Sequence, residues 1–385
     1  RDDTLWYDFS MMASVESLFT PFRHGPLELK SRIVMPPMTR AFSPGGVPTA
    51  AVADYYARRA AAGVGLIVTE GVWIDHPSAA NDPNVPRLYG EDALAGWRGV
   101  IERVHAAGAS IVPQLWHVGL TRKPQLENLY DKAEEDLAAK LSPSGYVTPD
   151  ERIGEGSPES DLLAAIDAYG RAAATARAIG FDGIEIHGAH GYAIDQFFWD
   201  RTNRRTDRWG GTTLAERARF GVEVVKACRE QAGAGFPIIF RFSQWKQQDY
   251  AARLAQSPEE LGTLLTALAH AGVDIFHASQ RRFREPAFAG SPLNLAGWAR
   301  RLTGMPAIAV GSVGISRDML ETFATSEAAG REGVEEAAGR LEAGEFDLLA
   351  VGRALIADPL WPEKIRDGKL DSIQPYSSQC LASLV

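Results

Sequence analysis

Two imidazoles and a phenol, those of His187, His190 and Tyr192, fall within the stretch FDGIEIHGAHGY at residues 181–192. Imidazoles are the side chains that most readily serve as hydrogen-bond donors, proton carriers or metal ligands near neutral pH. The apolar run containing Ile184 and Ile186 reads as a short buried strand, Phe181–His187, bounded by Gly180 and Gly188. His187 then stands at the C-terminal end of the strand, and His190 and Tyr192 on the loop that follows. A spacing of three in a helical turn or tight loop sets the two imidazoles side by side. Two hydrogen-bonded structural histidines would need no neighbouring tyrosine, so the cluster is read as a candidate site. A metal pair is the other chemistry. Glu70 or Glu185 could add a carboxylate, but His-x-x-His without a clear third ligand is a weak zinc signature.

Other chemically unusual residues also stand where apolar runs end. The first run closes in Pro36-Pro37-Met38-Thr39-Arg40, and the second in Thr69-Glu70-Gly71. The third ends in Gln114-Leu115-Trp116-His117. Arg241 lies inside the apolar run FPIIFRFS, where a charge is costly unless paired. Glu185 or Glu70 could be its partner in an internal ion pair. Gln114 and Trp116 could equally be a satisfied core amide and ordinary core packing. Two further runs close in Gly311-Ser312-Val313-Gly314 and in Gly352-Arg353.

The elements that must position these residues recur in series. The eight apolar runs are Arg32–Pro37, Val64–Val72, Ser110–Leu115, Phe181–His187, Phe236–Ser243, Val273–Ala278, Pro306–Ser312 and Phe346–Gly352. Between them lie amphipathic stretches: Thr49–Ala62, Asp92–Ala107, Asp161–Ile179, Leu214–Gln231, Ser257–Ala271 and Leu293–Thr303. Near-continuous apolar strands alternating with helices imply a parallel sheet covered by helices. Eight such units predict an α/β chain folded as a (β/α)8 TIM barrel. A doubly wound open sheet is the rival, and the absence of GxGxxG after the first strand counts against it. The loops after strands three and four, Leu120–Ser160 and Arg201–Thr213, are extended and are lid candidates; surface decoration is the other reading of the first. Thr325–Ala343 is rich in Ala, Glu and Gly and reads as a solvated helix.

In a barrel the loops after strands seven and eight often bind phosphate through backbone N–H groups. Gly311, Ser312 and Gly352 let those groups approach, and Arg353 adds charge. Gln114, Thr39 and Arg241 add an amide, a hydroxyl and a buried cation toward the middle. Together they suit a planar heterocycle with an amide edge that becomes anionic on reduction. FMN is such a molecule, with Arg241 near its N1 and C2 carbonyl.

Composition bounds the remaining classes. Of 385 residues 45% are hydrophobic and 23% charged, the proportions of an ordinary globule. The formal net charge of −9 argues against nucleic acid or an anionic membrane as partner. No apolar run approaches the ~20 residues that span a bilayer. Cys228 and Cys380 are too few for a four-thiolate cluster or a disulfide framework, and their scarcity suits a reducing, cytoplasmic setting. Residues 1–12 lack the apolar core of a secretory signal and read as an appended remnant or disordered lead-in. Residues 13–385 read as one domain.

At these strand ends the sequence resembles the Old Yellow Enzyme family of FMN-dependent ene-reductases. The motifs that carry the resemblance are RIVMPPMTR, QLWH, IEIHGAHGYAIDQFF, TNRRTDRWGG, FRFS, AVGSVG and AVGRALIADP, and the resemblance covers nearly the whole chain, from about Leu18 to Val385. It implies non-covalent FMN at the barrel mouth, with NAD(P)H as hydride donor. Pro37, Thr39, Gly71, Gln114, Arg241, Gly311, Ser312, Val313, Gly352 and Arg353 match flavin-contacting positions. His187 and His190 match the pair that grips a substrate oxygen, and Tyr192 matches the proton donor. Trp116 and Thr39 would shape the substrate pocket and tune the flavin. His190 stands where the family often has Asn, Leu120 where many members have Arg, and Val313 where an aromatic is frequent. The implied substrates are enones, nitro compounds or quinones, including specialised natural-product enones, and the implied assembly is a monomer or homodimer. Two rivals are a flavin-binding protein without turnover and a metal-dependent barrel hydrolase.

Overall fold

In a computed structural model, which describes residues 14–121, 140–315 and 333–385, eight parallel strands close into a barrel. They are β1 (Ile33–Met35), β2 (Leu66–Trp73), β3 (Ser110–Trp116), β4 (Ile184–His187), β5 (Ile238–Ser243), β6 (Ile275–Ser279), β7 (Ala307–Val310) and β8 (Leu348–Ala350). Each strand pairs with the next in the sequence, and β8 pairs with β1, so the sheet has no edge. The helices between them are α1 (Ala50–Ala61), α2 (Glu91–Ala106), α3 (Glu159–Ile179), a short α4 (Ala193–Phe198), α5 (Leu214–Arg217), α6 (Arg219–Ala232), α7 (Pro258–Ala271), α8 (Leu295–Thr303) and α9 (Val334–Glu342). The predicted (β/α)8 barrel is the observed fold. The lead-in at residues 1–12 lies outside the described residues.

The strand period of two sorts side chains into layers inside the barrel. Val34, Val112, Ile239, Ile275, Ile308 and Leu348 form one buried cluster with Phe22, Leu27 and Leu29. The last three belong to an antiparallel hairpin, Phe22–His24 with Leu27–Leu29, that closes the N-terminal end of the barrel. Two residues further along each of three strands, the side chains become Gln114, Arg241 and His277. Two more bring Trp116, Ser243 and Ser279. Apolar packing therefore fills the bottom of the barrel, and the polar groups are carried toward the C-terminal mouth.

Two sequence readings change. The stretch Leu214–Gln231 is two helices, α5 and α6, which meet at Ala218, itself still in the right-handed helical region with φ of −66° and ψ of −17°. Thr325–Ala343 is not simply solvated. Its described part is α9, which buries Val334, Ala337, Ala338 and Leu341 in the core. The rest, to residue 332, lies outside the described residues.

The motif TNRRTDRWGG after β4 has a structural job. Arg204 donates to Tyr146 Oη at 2.9 Å and to the Pro149 carbonyl at 2.7 Å. Arg205 donates to the carbonyls of Pro143 at 3.0 Å and Ser157 at 2.8 Å. Trp209 Nε1 and Arg208 Nε both reach Glu159 Oε1, at 3.0 and 2.7 Å, in the first turn of α3. The described part of the long connection after β3 contains a hairpin, Tyr146–Thr148 with Glu151–Arg152, and this arginine cluster fastens it down. A lid at 201–213 is replaced by an anchor; residues 122–139 of the other lid candidate lie outside the described residues. Charge-assisted bonds of this kind are worth about 2 kcal/mol each. Arg205→Ala should therefore accelerate limited proteolysis within residues 140–157 while leaving the barrel folded, as followed by mass mapping and far-UV circular dichroism; unchanged cleavage would show that the anchor is not needed.

Candidate active site

All fourteen residues nominated from the sequence line one cavity of about 510 Å3 at the C-terminal mouth of the barrel. They arrive from both ends of the chain: Pro37 and Thr39 follow β1, Gly311, Ser312 and Val313 follow β7, and Gly352 and Arg353 follow β8. Gly71 sits beyond an irregularity in the pairing of β2 with β3, which shifts register between Val68 and Gly71. A Cβ there would lie 2.3 Å from Trp116 Cε3, so glycine is what lets the indole lie against the strand. Trp116 is both packing and cavity wall: it stacks on Trp73 with centroids 4.4 Å apart and meets Tyr192 edge-on at 4.9 Å.

The two histidines meet edge-to-face rather than side by side, with ring centroids 5.2 Å apart at 90°. The reason is the backbone. His190 has φ of +65°, a left-handed conformation that a side-chain-bearing residue holds only when its surroundings impose it. Those surroundings are explicit. The His190 N–H donates to Ser243 Oγ at 3.0 Å, and its ring stacks on Trp245 at 4.4 Å. Gly191 follows with φ of +80°, a backbone conformation that side-chain-bearing residues rarely adopt. Asp195 accepts from the Gly191 N–H at 2.7 Å, and Gln196 donates to the Gly191 carbonyl at 2.8 Å. Lys246, from the loop after β5, donates to Asp195 Oδ1 at 2.6 Å, both side chains being fully buried.

Both imidazoles are held neutral. Burial pushes His187 and His190 well below the usual histidine range, and the Arg241 charge pushes them the same way. His187 Nδ1 accepts from the Ala189 N–H at 3.3 Å, so its own proton sits on Nε2. That nitrogen is a donor with no partner among the described residues. Tyr192 lies 4.9 Å from His187 between ring centroids, completing a three-ring wall with Trp116.

Below them, Glu185 accepts from Gln114 Nε2 at 2.8 Å and from His277 Nδ1 at 2.6 Å. Burial lowers the Arg241 pKa, and the charge of Glu185 opposes that shift. Direct partners are scarce: Arg241 Nη2 reaches Ser279 Oγ at 3.4 Å, and its Nε is buried without any partner. Glu70 is not the partner that the sequence allowed. It accepts from the backbone N–H groups of Arg40 and Ala41, both at 2.9 Å, and burial pushes its carboxyl up to about 7. Among the described residues no group of three His, Cys, Asp or Glu side chains could hold a metal ion.

The loops after β7 and β8 meet at the cavity. Gly311 has φ of +154° and Ser312 φ of +51°, and Arg353 Nη2 donates to Ser312 Oγ at 3.1 Å. A Cβ on Gly311 would lie 2.6 Å from the Gln280 carbonyl oxygen. Several lining residues were missed: Trp245, Tyr250, Ser279 and Tyr376 also face the cavity. Trp245 and Tyr250 stack at 5.5 Å and extend the wall from His190 outward. Their signal in the sequence was QWKQQDY directly after β5, an aromatic and charged run at another strand end.

The chain is similar to known proteins over most of its length. The model of the NADH:flavin oxidoreductase / NADH oxidase family matches residues 17–372. A "NADH oxidase" of Thermoanaerobacter brockii is 33% identical over 369 residues, covering 94% of this chain but 52% of that protein. The chain therefore spans about half the length of that relative. A "putative 12-oxophytodienoate reductase 2" of Oryza sativa subsp. japonica is 33% identical over 352 residues, covering 90% of this chain and 86% of its own. Among solved structures, morphinone reductase superposes with a TM-score of 0.75 at 26% identity, covering 96% of this chain and 94% of its own. Among the described residues no helix is long and apolar enough to cross a membrane.

Lys246 and Asp195 supply a stability test. Burial pulls Lys246 down and Asp195 up, and each charge counters the other's shift. Removing one partner leaves the other charge buried alone, a cost of about 3–5 kcal/mol. Lys246→Met should lower stability by that amount in denaturant unfolding, and Lys246→Met with Asp195→Leu should recover part of it. Equal stability of Lys246→Met and the parent would remove the pair from the scaffold.

Proposed function

The chain belongs to the NADH:flavin oxidoreductase / NADH oxidase family, the Old Yellow Enzyme family that its strand-end motifs resemble, and from that membership we propose that it uses FMN and NAD(P)H to reduce the activated C=C bond of α,β-unsaturated carbonyl or nitro compounds. The observation that carries the reading is Arg241: a buried guanidinium with an unpartnered Nε on the wall of the cavity. A buried cation in that state calls for an acceptor from a bound molecule.

The donor set fits FMN. Gln114 is held through its Nε2 by Glu185, which leaves Oε1 to accept from the flavin's imide edge. Arg241 would face the edge that gains negative charge. Thr39 adds a hydroxyl, and Ser312, Val313 and Arg353 would hold the phosphate. When bound, FMN supplies the hydride chemistry, accepting from NAD(P)H and giving to the substrate's β-carbon.

The chain's own residues would do the rest. His187 Nε2–H donates to the substrate oxygen, with His190 as the second donor. Two neutral donors in a water-poor pocket favour an oxyanion as charge develops there. Tyr192, packed against His187 and Trp116, gives its phenolic proton to the α-carbon. Trp116, Trp245 and Tyr250 form flat walls suited to planar unsaturated substrates.

Three outcomes follow. The purified protein should be yellow, and enones or nitroalkenes should restore its visible flavin band after NADPH bleaches it; a protein that gains no flavin spectrum on incubation with FMN overturns the proposal. Tyr192→Phe should leave bleaching by NADPH nearly intact but slow enone-driven recovery by ~10²–10⁴-fold, the usual worth of a positioned acid. Stopped-flow traces showing equal slowing of both phases would take Tyr192 out of the chemistry.

The neutral imidazoles set the pH behaviour of oxyanion ligands. A pKa depressed below the ordinary ~6.5 means the rings gain charge only on further acidification. Affinity for para-substituted phenols should therefore rise with pH through the ligand's own ionisation. No break should appear near the ordinary histidine value, and His187→Ala should weaken binding at every pH. A titration midpoint that stays near ~6.5 for phenols of different acidity would mean that an imidazolium binds them.

A further inference from the structure

Ser279, at the C-terminal end of β6, is buried on the cavity wall, and its hydroxyl touches both halves of the site. His190 Nε2 lies 2.7 Å from Ser279 Oγ, and Arg241 Nη2 lies 3.4 Å from the same oxygen. Among the described residues these are the only partners of that hydroxyl. The bookkeeping of hydrogens is then closed. A guanidinium can only donate, so Arg241 occupies a lone pair of Oγ. Among the described residues the hydroxyl hydrogen then has one acceptor within reach, His190 Nε2. If Nε2 carried the imidazole proton instead, the Ser279 hydroxyl hydrogen would have no acceptor among the described residues, a state that a buried hydroxyl disfavours.

We infer that Ser279 is a positioning residue that fixes the tautomer of His190, placing the imidazole proton on Nδ1 and aiming that N–H at the substrate oxygen. The inference rests on the reading of His190 as an oxyanion donor only for its functional consequence; the tautomer itself follows from the bonds. The ring has little freedom to evade it. Trp245 stacks on one face at 24°, and the backbone is pinned through Ser243. Nδ1 makes no hydrogen bond among the described residues. His187 is set differently, by a backbone N–H on its Nδ1, so the two rings present opposite nitrogens, Nε2–H and Nδ1–H. Two donors from two tautomers can then converge on one oxygen although their rings stand perpendicular. The same hydroxyl joins Arg241 to the substrate grip, so the groups facing cofactor and substrate share one hydrogen-bond chain.

The test uses flavin-loaded protein labelled with 15N-histidine. Two-bond proton–nitrogen correlation spectra report which ring nitrogen carries hydrogen, and His190→Gln identifies the signal. The parent protein should show His190 protonated on Nδ1. Ser279→Ala should shift it toward Nε2–H and weaken para-hydroxybenzaldehyde binding by about fivefold, the worth of about 1 kcal/mol for one hydrogen bond. Ser279→Thr, which keeps a hydroxyl, should restore both. An Nε2–H signal for His190 in the parent protein overturns the inference without any variant, and so does an Nδ1–H signal that persists in Ser279→Ala. If the tautomer shifts as expected while His187→Ala and His190→Ala bind the phenol as tightly as the parent, the inference stands and the oxyanion reading of the pair falls.

Discussion

One carboxylate underlies the floor of the cavity. Glu185 is fully buried on β4 and holds two neighbours by short hydrogen bonds, Gln114 on β3 and His277 on β6. Its charge also opposes the cost of burying Arg241 on β5. Four strands thus meet at a single anion inside a barrel whose lower interior is packed with apolar side chains. A buried charge without a counter-charge is among the most expensive features a fold can carry. The arrangement leaves the guanidinium compensated at a distance but short of hydrogen-bond acceptors, which is the state of a group arranged to receive a ligand.

The layer above is governed by the opposite requirement. His187 and His190 sit over a cation and in a desolvated pocket, and both influences hold them neutral. A neutral imidazole has one hydrogen and one lone pair, so its usefulness depends on which nitrogen carries which. The protein settles this by bonding one nitrogen of each ring, through Ala189 for His187 and through Ser279 for His190. Electrostatics makes the rings neutral, and local hydrogen bonds then decide where each can donate.

The loop that carries these groups is strained and is held accordingly. Positive φ at His190 is sustained by contacts from three directions: Ser243 on β5, Asp195 and Gln196 on α4, and the Gln247–His190 backbone bond from the loop after β5. Such strain persists only where the surroundings over-determine the conformation. Lys246 ties the loop after β5 to Asp195 on α4. The arginines of TNRRTDRWGG fasten the neighbouring connection in the same manner, so the mouth of the barrel is braced by polar contacts while its bottom is packed by apolar ones.

Much of this was legible in the sequence, and for a local reason. Strand periodicity and the rule that barrel loops carry function are properties of short segments, so the eight apolar runs and the residues at their ends could be picked out one by one. What could not be read were pairings between segments far apart in the chain. Lys246 and Asp195 are 51 positions apart, and His190 and Ser279 are 89 apart. Glu70 and Glu185 were equal candidates for Arg241 until the barrel closed. Closure then placed Glu185 among Gln114, His277 and Arg241, and turned Glu70 toward the backbone of Arg40 and Ala41. Which residues lie at the mouth is a matter of period and order along the chain. Which of them touch, which nitrogen holds a proton and which charge goes uncompensated depend on the strand register and on the turns that the closed sheet imposes.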